Sequence, residues 1–376
     1  MKNKNFSVFF QNKIKKFNKT IQVDSDKSIS IRSFLIGAIS QKNSKIKNIL
    51  ESEDVFSTIQ CLKELGVKIK KVRNKDYSVF GKGLGSLIAK KKHICNCGNS
   101  GTLARLLIGI LSTTPNIKVK IKGDHSLNKR NMSKLINLMN EFGAEFYPKN
   151  KFNFPLSMVS SDMPLAINYK AGVSAQLKSA VMLAGLNSFG NTNIIEINKS
   201  RNHTENILLK SSGVISVKKN NIKIYGKKNL QPLNISIPGD PSSAAFFTTL
   251  ALLSKDSFLN IKNVGLNPRR IGFYKILKMH GAKIRFTNIK KINNEFIGDL
   301  QVKYSKIRSI KAGSEFYPST ADEYPILFVI AALTQGVSIF KGIGDLANKE
   351  SSRAKEMQKI LRQIGVKSIL NKDQIK

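Results

Sequence analysis

The sequence predicts an α/β protein, two-lobed and assembled from repeated helix–strand units. Three observations predict it. At 376 residues the chain exceeds what one ordinary hydrophobic core organises, and two lobes are the natural division. A short phrase recurs in which a helical pattern ends at glycine, followed by Val or Ala and a short strand: Leu65-Gly66-Val67, Phe142-Gly143-Ala144, Ser212-Gly213-Val214, His280-Gly281-Ala282 and Ile364-Gly365-Val366. These glycines stand 77, 70, 68 and 84 residues apart, a regularity that means repeated supersecondary units. Third, the helices of these units share polar, often cationic entrances.

Taken in chain order, the first entrance is Asp26-Lys27-Ser28-Ile29-Ser30-Ile31-Arg32. From Ile31 the apolar residues fall at Ile31, Phe34, Leu35, Ala38 and Ile39, the spacing of an amphipathic helix. Ser28 and Arg32 are four apart and share a face if the first turn begins by Ser28. The free N–H groups and positive dipole end of such a helix point the same way. Lysine, hydroxyl and arginine converging there suit a phosphate or carboxylate; the alternative is a capped surface helix with solvated charges.

The next entrance, Asn99-Ser100-Gly101-Thr102, precedes Leu103, Leu106, Leu107, Ile110 and Leu111 on one side. Ser174-Ala175-Gln176 precedes Leu177, Ala180, Val181 and Ala184. In Asp240-Pro241-Ser242-Ser243 the aspartate suits a cap and the proline the first helical position. Asp322-Glu323 leads into Tyr324-Pro325-Ile326, where proline again fits a first turn, and Lys349-Glu350-Ser351-Ser352-Arg353 leads into Met357, Ile360, Leu361 and Ile364. One such entrance is an ordinary cap. Several in one chain favour a cleft lined by helix N-termini and built for anions.

Composition narrows the function. The net charge is +39, and of 63 cationic residues 52 are lysine, spread along the chain. Nucleic-acid readers concentrate arginine on one face, so no nucleic-acid partner is expected, though the field attracts anionic substrates. Six of the eleven arginines (Arg32, Arg105, Arg130, Arg201, Arg353 and one of the pair Arg269-Arg270) lie at or near a predicted helix start. That placement suits sites needing a planar, bidentate donor. Three cysteines, two of them in Cys95-Asn96-Cys97 beside His93, make no disulfide framework and no metal-ligand pattern; a strand passing into a loop is the expectation there. No apolar run approaches a membrane span and no signal-peptide core is present, so a cytoplasmic protein with no membrane partner is expected.

No nucleophile has a base beside it: His93, His125, His203 and His280 lack the surroundings of a triad, and there is no Walker loop or dinucleotide fingerprint. Cations plus the acidic spots Asp322-Glu323 and Glu350 remain. They fit proton transfer on a bound anionic substrate, with carboxylates as acid and base.

At this point the motifs resemble one family. Asp26-Lys27-Ser28-Ile29-Ser30-Ile31-Arg32, Gly98-Asn99-Ser100-Gly101-Thr102 with Arg105, and Gly123-Asp124-His125-Ser126-Leu127-Asn128-Lys129-Arg130 are three of its motifs. Ser174-Ala175-Gln176, Gly239-Asp240-Pro241-Ser242-Ser243, Asp322-Glu323-Tyr324-Pro325 and Lys349-Glu350-Ser351 follow in the family's order. The set is similar to 3-phosphoshikimate 1-carboxyvinyltransferase (EPSP synthase) over nearly the whole chain. The resemblance implies a two-lobed inside-out α/β barrel of βαβαββ units, with six units in a complete enzyme. It also implies a lobe boundary crossed twice, with residues 1–25 plus 238–376 in the first lobe and 26–237 in the second.

The reaction it implies moves the enolpyruvyl group of phosphoenolpyruvate to the 5-hydroxyl of 3-phosphoshikimate and releases phosphate, with no cofactor, no metal and no covalent enzyme intermediate. Carried over, Lys27 touches both substrates. Ser28, Arg32, Ser174, Gln176, Arg201, Asp322 and Lys349 complete the 3-phosphoshikimate site. Gly101, Arg130 and Arg353 hold phosphoenolpyruvate, which Gln176 also reaches. Asp322 is the implied base, Glu350 the implied acid, and Lys27 the third catalytic group. A monomer is expected.

This sequence departs from the family's pattern in places. Asp24-Ser25 stands for the usual Pro-Gly, Ile31 for a histidine, and Ser352 for an aspartate; Leu346-Ala347-Asn348 lacks a usual arginine. The family's Asp-His-Arg-Ile-Ala-Met segment and a later lysine have no counterpart. The expectation is therefore a chain lacking its last unit, either a piece of a longer product or a protein of impaired catalysis. Two rivals stand beside this reading. UDP-N-acetylglucosamine 1-carboxyvinyltransferase would carry Lys-Asn for Lys27-Ser28 and a catalytic cysteine in a mobile loop, whereas Cys95 and Cys97 directly precede a helix entrance. A basic nucleic-acid-binding protein would show affinity falling steeply with salt.

Overall fold

The computed structural model describes residue 9, residues 14–348 and residues 352–376. After β1 (Asn18–Gln22) the chain forms α1 (Lys27–Ile39), β2 (Gln41–Lys47), α2 (Glu53–Glu64), β3 (Lys68–Arg73) and β4 (Asp76–Lys82). Next come β5 (His93–Asn96), α3 (Gly101–Ser112), β6 (Lys118–Lys122), α4 (His125–Asn128), α5 (Ser133–Glu141), β7 (Glu145–Tyr147) and β8 (Leu156–Val159). The third stretch is β9 (Asn168–Ala171), α6 (Ala175–Gly185), β10 (Asn191–Glu196), α7 (His203–Leu208), β11 (Ile215–Lys218) and β12 (Asn221–Tyr225). The fourth holds β13 (Asn234–Ser236), α8 (Pro241–Leu253), β14 (Phe258–Gly265), α9 (Gly272–Met279), β15 (Lys283–Ile292) and β16 (Glu295–Lys303). The last is β17 (Lys311–Ala312), α10 (Tyr317–Thr320), α11 (Tyr324–Ala332), β18 (Ile339–Lys341), α12 (Arg353–Gln363) and β19 (Gln374–Ile375).

The repeat seen in the sequence is the repeat of the fold. Four sheets have one plan, a parallel pair followed by two antiparallel neighbours: β13-β2-β4-β3, β5-β6-β8-β7, β9-β10-β12-β11 and β1-β14-β16-β15. A fifth, β17-β18-β19, repeats its parallel pair and one antiparallel partner. A parallel pair needs a crossover, which α3 and α6 supply locally. Two units instead exchange their first strands. β1 precedes α1 in the chain but pairs with β14 beyond α8, while β13 pairs with β2. The five repeat glycines have φ between 72° and 100°; Gly66, Gly143, Gly281 and Gly365 directly follow the last helical cap residue, whereas Gly213, expected to end a helix, lies in a turn five residues past α7.

Burial follows this plan. One core runs from Ile29 to Ile237; a second runs from Ala244 to Ile375, and Phe17, Ile21 and Val23 pack onto it. The two-lobed α/β architecture expected from the sequence is present. One local expectation fails: α1 is not amphipathic. Every side chain from Ile29 to Ile39 is buried, because α2, α3 and α7 cover it on different sides. Its Arg32 is therefore a buried charge. The outer helices of the second core are less covered, and Phe246, Phe247 and Leu333 face solvent. Among the described residues no helix is long and apolar enough to cross a membrane.

The chain passes between the cores twice, and the passages are bonded to each other. The Asp26 amide donates to the Pro238 carbonyl at 2.9 Å and the Asp240 amide to the Asp24 carbonyl at 2.8 Å. Gly239 sits at this contact with no room for a side chain; a Cβ there would lie 2.9 Å from Val23 Cγ2. Both aspartates then cap helices, Asp26 accepting from the Ile29 amide and Asp240 from the Ser242 amide, each at 2.8 Å. Burial and the neighbouring Asp26 push the Asp240 carboxyl up to about 6, against the pull of Arg270. Burial works on Asp26 too, but His203, Arg270 and the Ile29 amide outweigh it and hold Asp26 below its ordinary range.

This has a measurable consequence. A carboxyl whose pKa is higher in the folded chain binds its proton more tightly there, so its contribution to stability falls as pH rises from 3.8 toward about 6. Urea unfolding of the parent and of Asp240→Asn across that window measures it. The parent-minus-variant difference should fall with rising pH by on the order of 1 kcal/mol per unit; a flat difference contradicts the assignment.

Candidate active site

Arg32 stands one turn into α1 and is 3% exposed. Its Nε donates to Thr204 Oγ1 of α7 at 2.9 Å, and its other nitrogens to Ser179 Oγ of α6 at 3.3 Å and to the Ser28 carbonyl at 3.1 Å. The two hydroxyls are themselves 2.8 Å apart. Burial draws the guanidinium down to about 10, with Asp26 and Glu205 limiting the fall, so it stays charged at neutral pH. The expected sharing of a face by Ser28 and Arg32 is met. Lys27, at the helix's first position and half exposed, pairs with Asp54 of α2 at 2.9 Å.

A buried lysine ties α6 to β10 and α7. Lys178 Nζ lies 2.6 Å from Glu196 and 2.5 Å from Glu205, and all three side chains are buried. A buried triad of this kind fixes geometry more than it adds stability. It seats the α6 entrance, where Ser174 caps the helix through the Leu177 amide and Gln176 follows.

The α3 entrance lies against the α6 entrance. Ser100 caps α3, and Arg105 donates to the Gly101 carbonyl at 3.2 Å and to Gln176 Oε1 at 2.8 Å. Gln176 returns a bond to Thr102 Oγ1 at 2.9 Å. Arg130, just past α4, reaches Asn99 Oδ1 at 2.9 Å. A Cβ on Gly101 would lie 2.7 Å from a guanidinium nitrogen of Arg105 and 2.7 Å from one of Arg130. Two guanidiniums thus flank the first amide of a helix, a setting for a multiply charged anion.

The second core contributes Asp322, two residues ahead of α11. Arg201, just before α7, donates to one carboxylate oxygen at 2.6 Å, and Arg353, the first residue of α12, to the other at 3.1 Å. The structure therefore brings the site residues named from the sequence into three groups: Arg32 with the Ser28 carbonyl, Gly101 with Arg130 and Gln176, and Arg201 with Asp322 and Arg353. Ser174 and Lys27 stand at the same helix ends, in a cap and an ion pair. Lys349 and Glu350 lie outside the described residues.

Sequence reading left out several contributors. Arg105 was visible as a helix-entrance arginine, and its role becomes evident only when α6 brings Gln176 beside it. Ser179 lies one turn past Ala175, a spacing that could have marked it. Thr102 and Thr204 carry no distinguishing signal. The Cys95-Asn96-Cys97 stretch is a strand passing into a loop, as expected, and all three cysteines are free and buried.

The family model described as EPSP synthase (3-phosphoshikimate 1-carboxyvinyltransferase) matches residues 11–376. The 3-phosphoshikimate 1-carboxyvinyltransferase of Zymomonas mobilis is 38% identical over 351 residues, covering 92% of this chain and 77% of its own. That of Petrotoga mobilis is 39% identical over 359 residues, covering 95% and 82%. The chain belongs to the EPSP synthase family. The family's structure from Acinetobacter baumannii superposes with a TM-score of 0.84 at 33% identity, covering 96% of this chain and 82% of that one. The enolpyruvyl transferase NikO of Streptomyces tendae, at TM-score 0.68 and 11% identity, shares the fold.

Gly101 offers a test of the anion site itself. In Gly101→Ala the new methyl meets only the ends of two flexible side chains, so the fold should tolerate it while both guanidiniums move. The melting temperature should stay near the parent's, and stabilisation by added inorganic phosphate should fall. Equal phosphate stabilisation in both proteins would make Gly101 a turn residue only.

Proposed function

We propose that this chain transfers the enolpyruvyl group of phosphoenolpyruvate to the 5-hydroxyl of 3-phosphoshikimate, releasing phosphate, as a transferase of the shikimate pathway to chorismate and aromatic amino acids. The observation that carries the reading is the placement of Asp322. Its carboxylate lies between Arg201 from one core and Arg353 from the other, and Arg201 directly precedes α7, whose Thr204 holds Arg32.

In this reading Lys27, Ser28, Arg32, Ser174, Gln176, Arg201, Asp322 and Lys349 hold 3-phosphoshikimate. Lys27, Gly101, Arg130, Gln176 and Arg353 hold phosphoenolpyruvate. The new bond joins the 5-oxygen to C2 of phosphoenolpyruvate. Its formation needs a proton taken from the hydroxyl and one given to the methylene carbon; loss of phosphate with a proton from that carbon then restores the double bond. Asp322 takes the first proton and Glu350 supplies the second, with Lys27 beside both substrates. Without substrate, the guanidiniums of Arg201 and Arg353 each bond one oxygen of the Asp322 carboxylate. The cations on the other side meet charge on phosphoenolpyruvate and on the departing phosphate.

Three further assignments belong to the same reading. The lobe boundary is placed at Ser25/Asp26 and at Ile237/Pro238, supported by the limits of the two cores. The chain acts on small molecules and not on nucleic acid, supported by the dispersed lysines. In the same reading it works as a monomer in the cytoplasm.

Arg32 gives the sharpest test of the shikimate side. Arg32→Ala removes a buried, charge-assisted donor and should weaken 3-phosphoshikimate binding by about 2 kcal/mol or more in calorimetry. Arg32→Lys should recover only part, since the planar fork is lost. Unchanged affinity in Arg32→Ala contradicts the assignment.

A further inference from the structure

We propose that the adjacent residues Arg269 and Arg270 form a brace of two positioning residues that fixes Asp322 against Arg201 across the cleft. The inference rests on the reading of Asp322 as base and of Arg201 as a ligand of 3-phosphoshikimate. The two arginines sit in the turn between β14 and α9, and that turn is rigid. Asn267 accepts the Arg269 amide on its side chain at 2.9 Å and the Arg270 amide on its carbonyl at 2.8 Å. Its side-chain amide also donates to Asn202 at 2.8 Å and to Glu295 at 2.9 Å.

From this fixed turn the two side chains go to opposite lobes. Arg269 bonds both oxygens of buried Glu196, at 3.1 and 2.9 Å, and the Ser200 carbonyl at 2.9 Å. Ser200 directly precedes Arg201. Arg270, 4% exposed, donates to Glu323 at 2.7 Å, to Ser242 Oγ at 2.8 Å and to Asp240 at 3.1 Å, while Ser242 donates to the same Glu323 oxygen. Glu323 directly follows Asp322. The Arg201–Asp322 bond of 2.6 Å closes the figure. A ring results: Arg269 to Ser200-Arg201, across to Asp322-Glu323, and back to Arg270.

The ring has a mechanical meaning. Each arginine grips the residue next to a site residue: Arg269 reaches across to hold the Arg201 side from the other lobe, while Arg270 holds Asp322 within its own lobe. Arg270 in addition ties the cap of α8 to the start of α11, and Asp240 is bonded to Asp24 in the neighbouring passage. A shift of one lobe on the other therefore passes through two peptide units to the gap between base and phosphate ligand. At Arg270, where two guanidinium nitrogens divide three acceptors, lysine can keep the charge but cannot span them with a planar fork; at Arg269 one nitrogen makes all three contacts.

The test separates the two arms. Arg270→Lys loosens the Asp322 side: kcat should fall about tenfold or more, with KM for 3-phosphoshikimate changed by less than about threefold. Arg269→Ala removes the contacts to Glu196 and Ser200 and loosens the Arg201 side, so its effect on the Kd of 3-phosphoshikimate by calorimetry should exceed its effect on kcat. Should Arg270→Lys fail to fold, Glu323→Gln loosens the same grip from the other end and leaves Arg270 its bond to Asp240. Opposite splits in the two arms support the brace. Parallel losses that track the melting temperature, or no loss in either, overturn it. Asp322→Asn separates the layers: parental kcat there refutes the base assignment, whereas an inactive Asp322→Asn beside an unchanged Arg270→Lys refutes the brace alone.

Discussion

The two passages of the chain between its cores run side by side, and nearly everything in the cleft follows from that contact. Ser25 pairs with Gly239, and the amides of Asp26 and Asp240 reach across to the opposite passage. Because the passages are bonded, the first helix of each lobe starts at the same place, each capped by its own aspartate. The same contact makes β1 and β13 exchange sheets, so each lobe holds one strand delivered from the far side. Two carboxylates brought this close need a shared cation, and Arg270 is the buried charge that meets the need. Its own charge is held firmly: burial alone would lower its pKa, but Glu323, Asp240 and Asp26 together raise it.

Charge placement in the cleft follows one rule. Each arginine near a helix start is held by oxygen acceptors supplied by another element: Arg32 by hydroxyls of α6 and α7, Arg105 by Gln176, Arg201 and Arg353 by Asp322. Guanidiniums satisfied in this way are fixed in direction before any anion arrives, which spares reorganisation at the moment of binding. The abundant lysines play a different part. They lie mostly on the surface and supply a long-range attraction for anions that salt screens.

Much of this is legible in the sequence, for physical reasons that differ by residue. Caps and helix ends are local, so Ser100, Ser174, Asp240 and four of the five repeat glycines can be read from neighbouring residues alone. The motifs at Lys27, Gly101, Gln176 and Asp322 also stand at helix ends and are visible for the same reason. Solvation of a helix is not local. The apolar spacing of α1 reads as one covered face, whereas its neighbours in space cover every face. Nor are partners that meet only through the fold: Thr204 lies 172 residues from Arg32, and Glu323 lies 53 from Arg270. The family resemblance locates the arginines, but not the ring that Arg269 and Arg270 close.

The central claim is that this cleft joins two anionic substrates through the 5-oxygen of one and C2 of the other. Phosphorus and proton NMR of the protein mixed with phosphoenolpyruvate and 3-phosphoshikimate test it most directly. The account predicts that phosphoenolpyruvate declines and inorganic phosphate rises one for one, while the 3-phosphate monoester persists and a new pair of enol-ether methylene protons joins the ring vinyl proton of the shikimate framework, and only when both substrates are present. Phosphate released without 3-phosphoshikimate, or phosphoenolpyruvate left unconsumed in the presence of both, would contradict it.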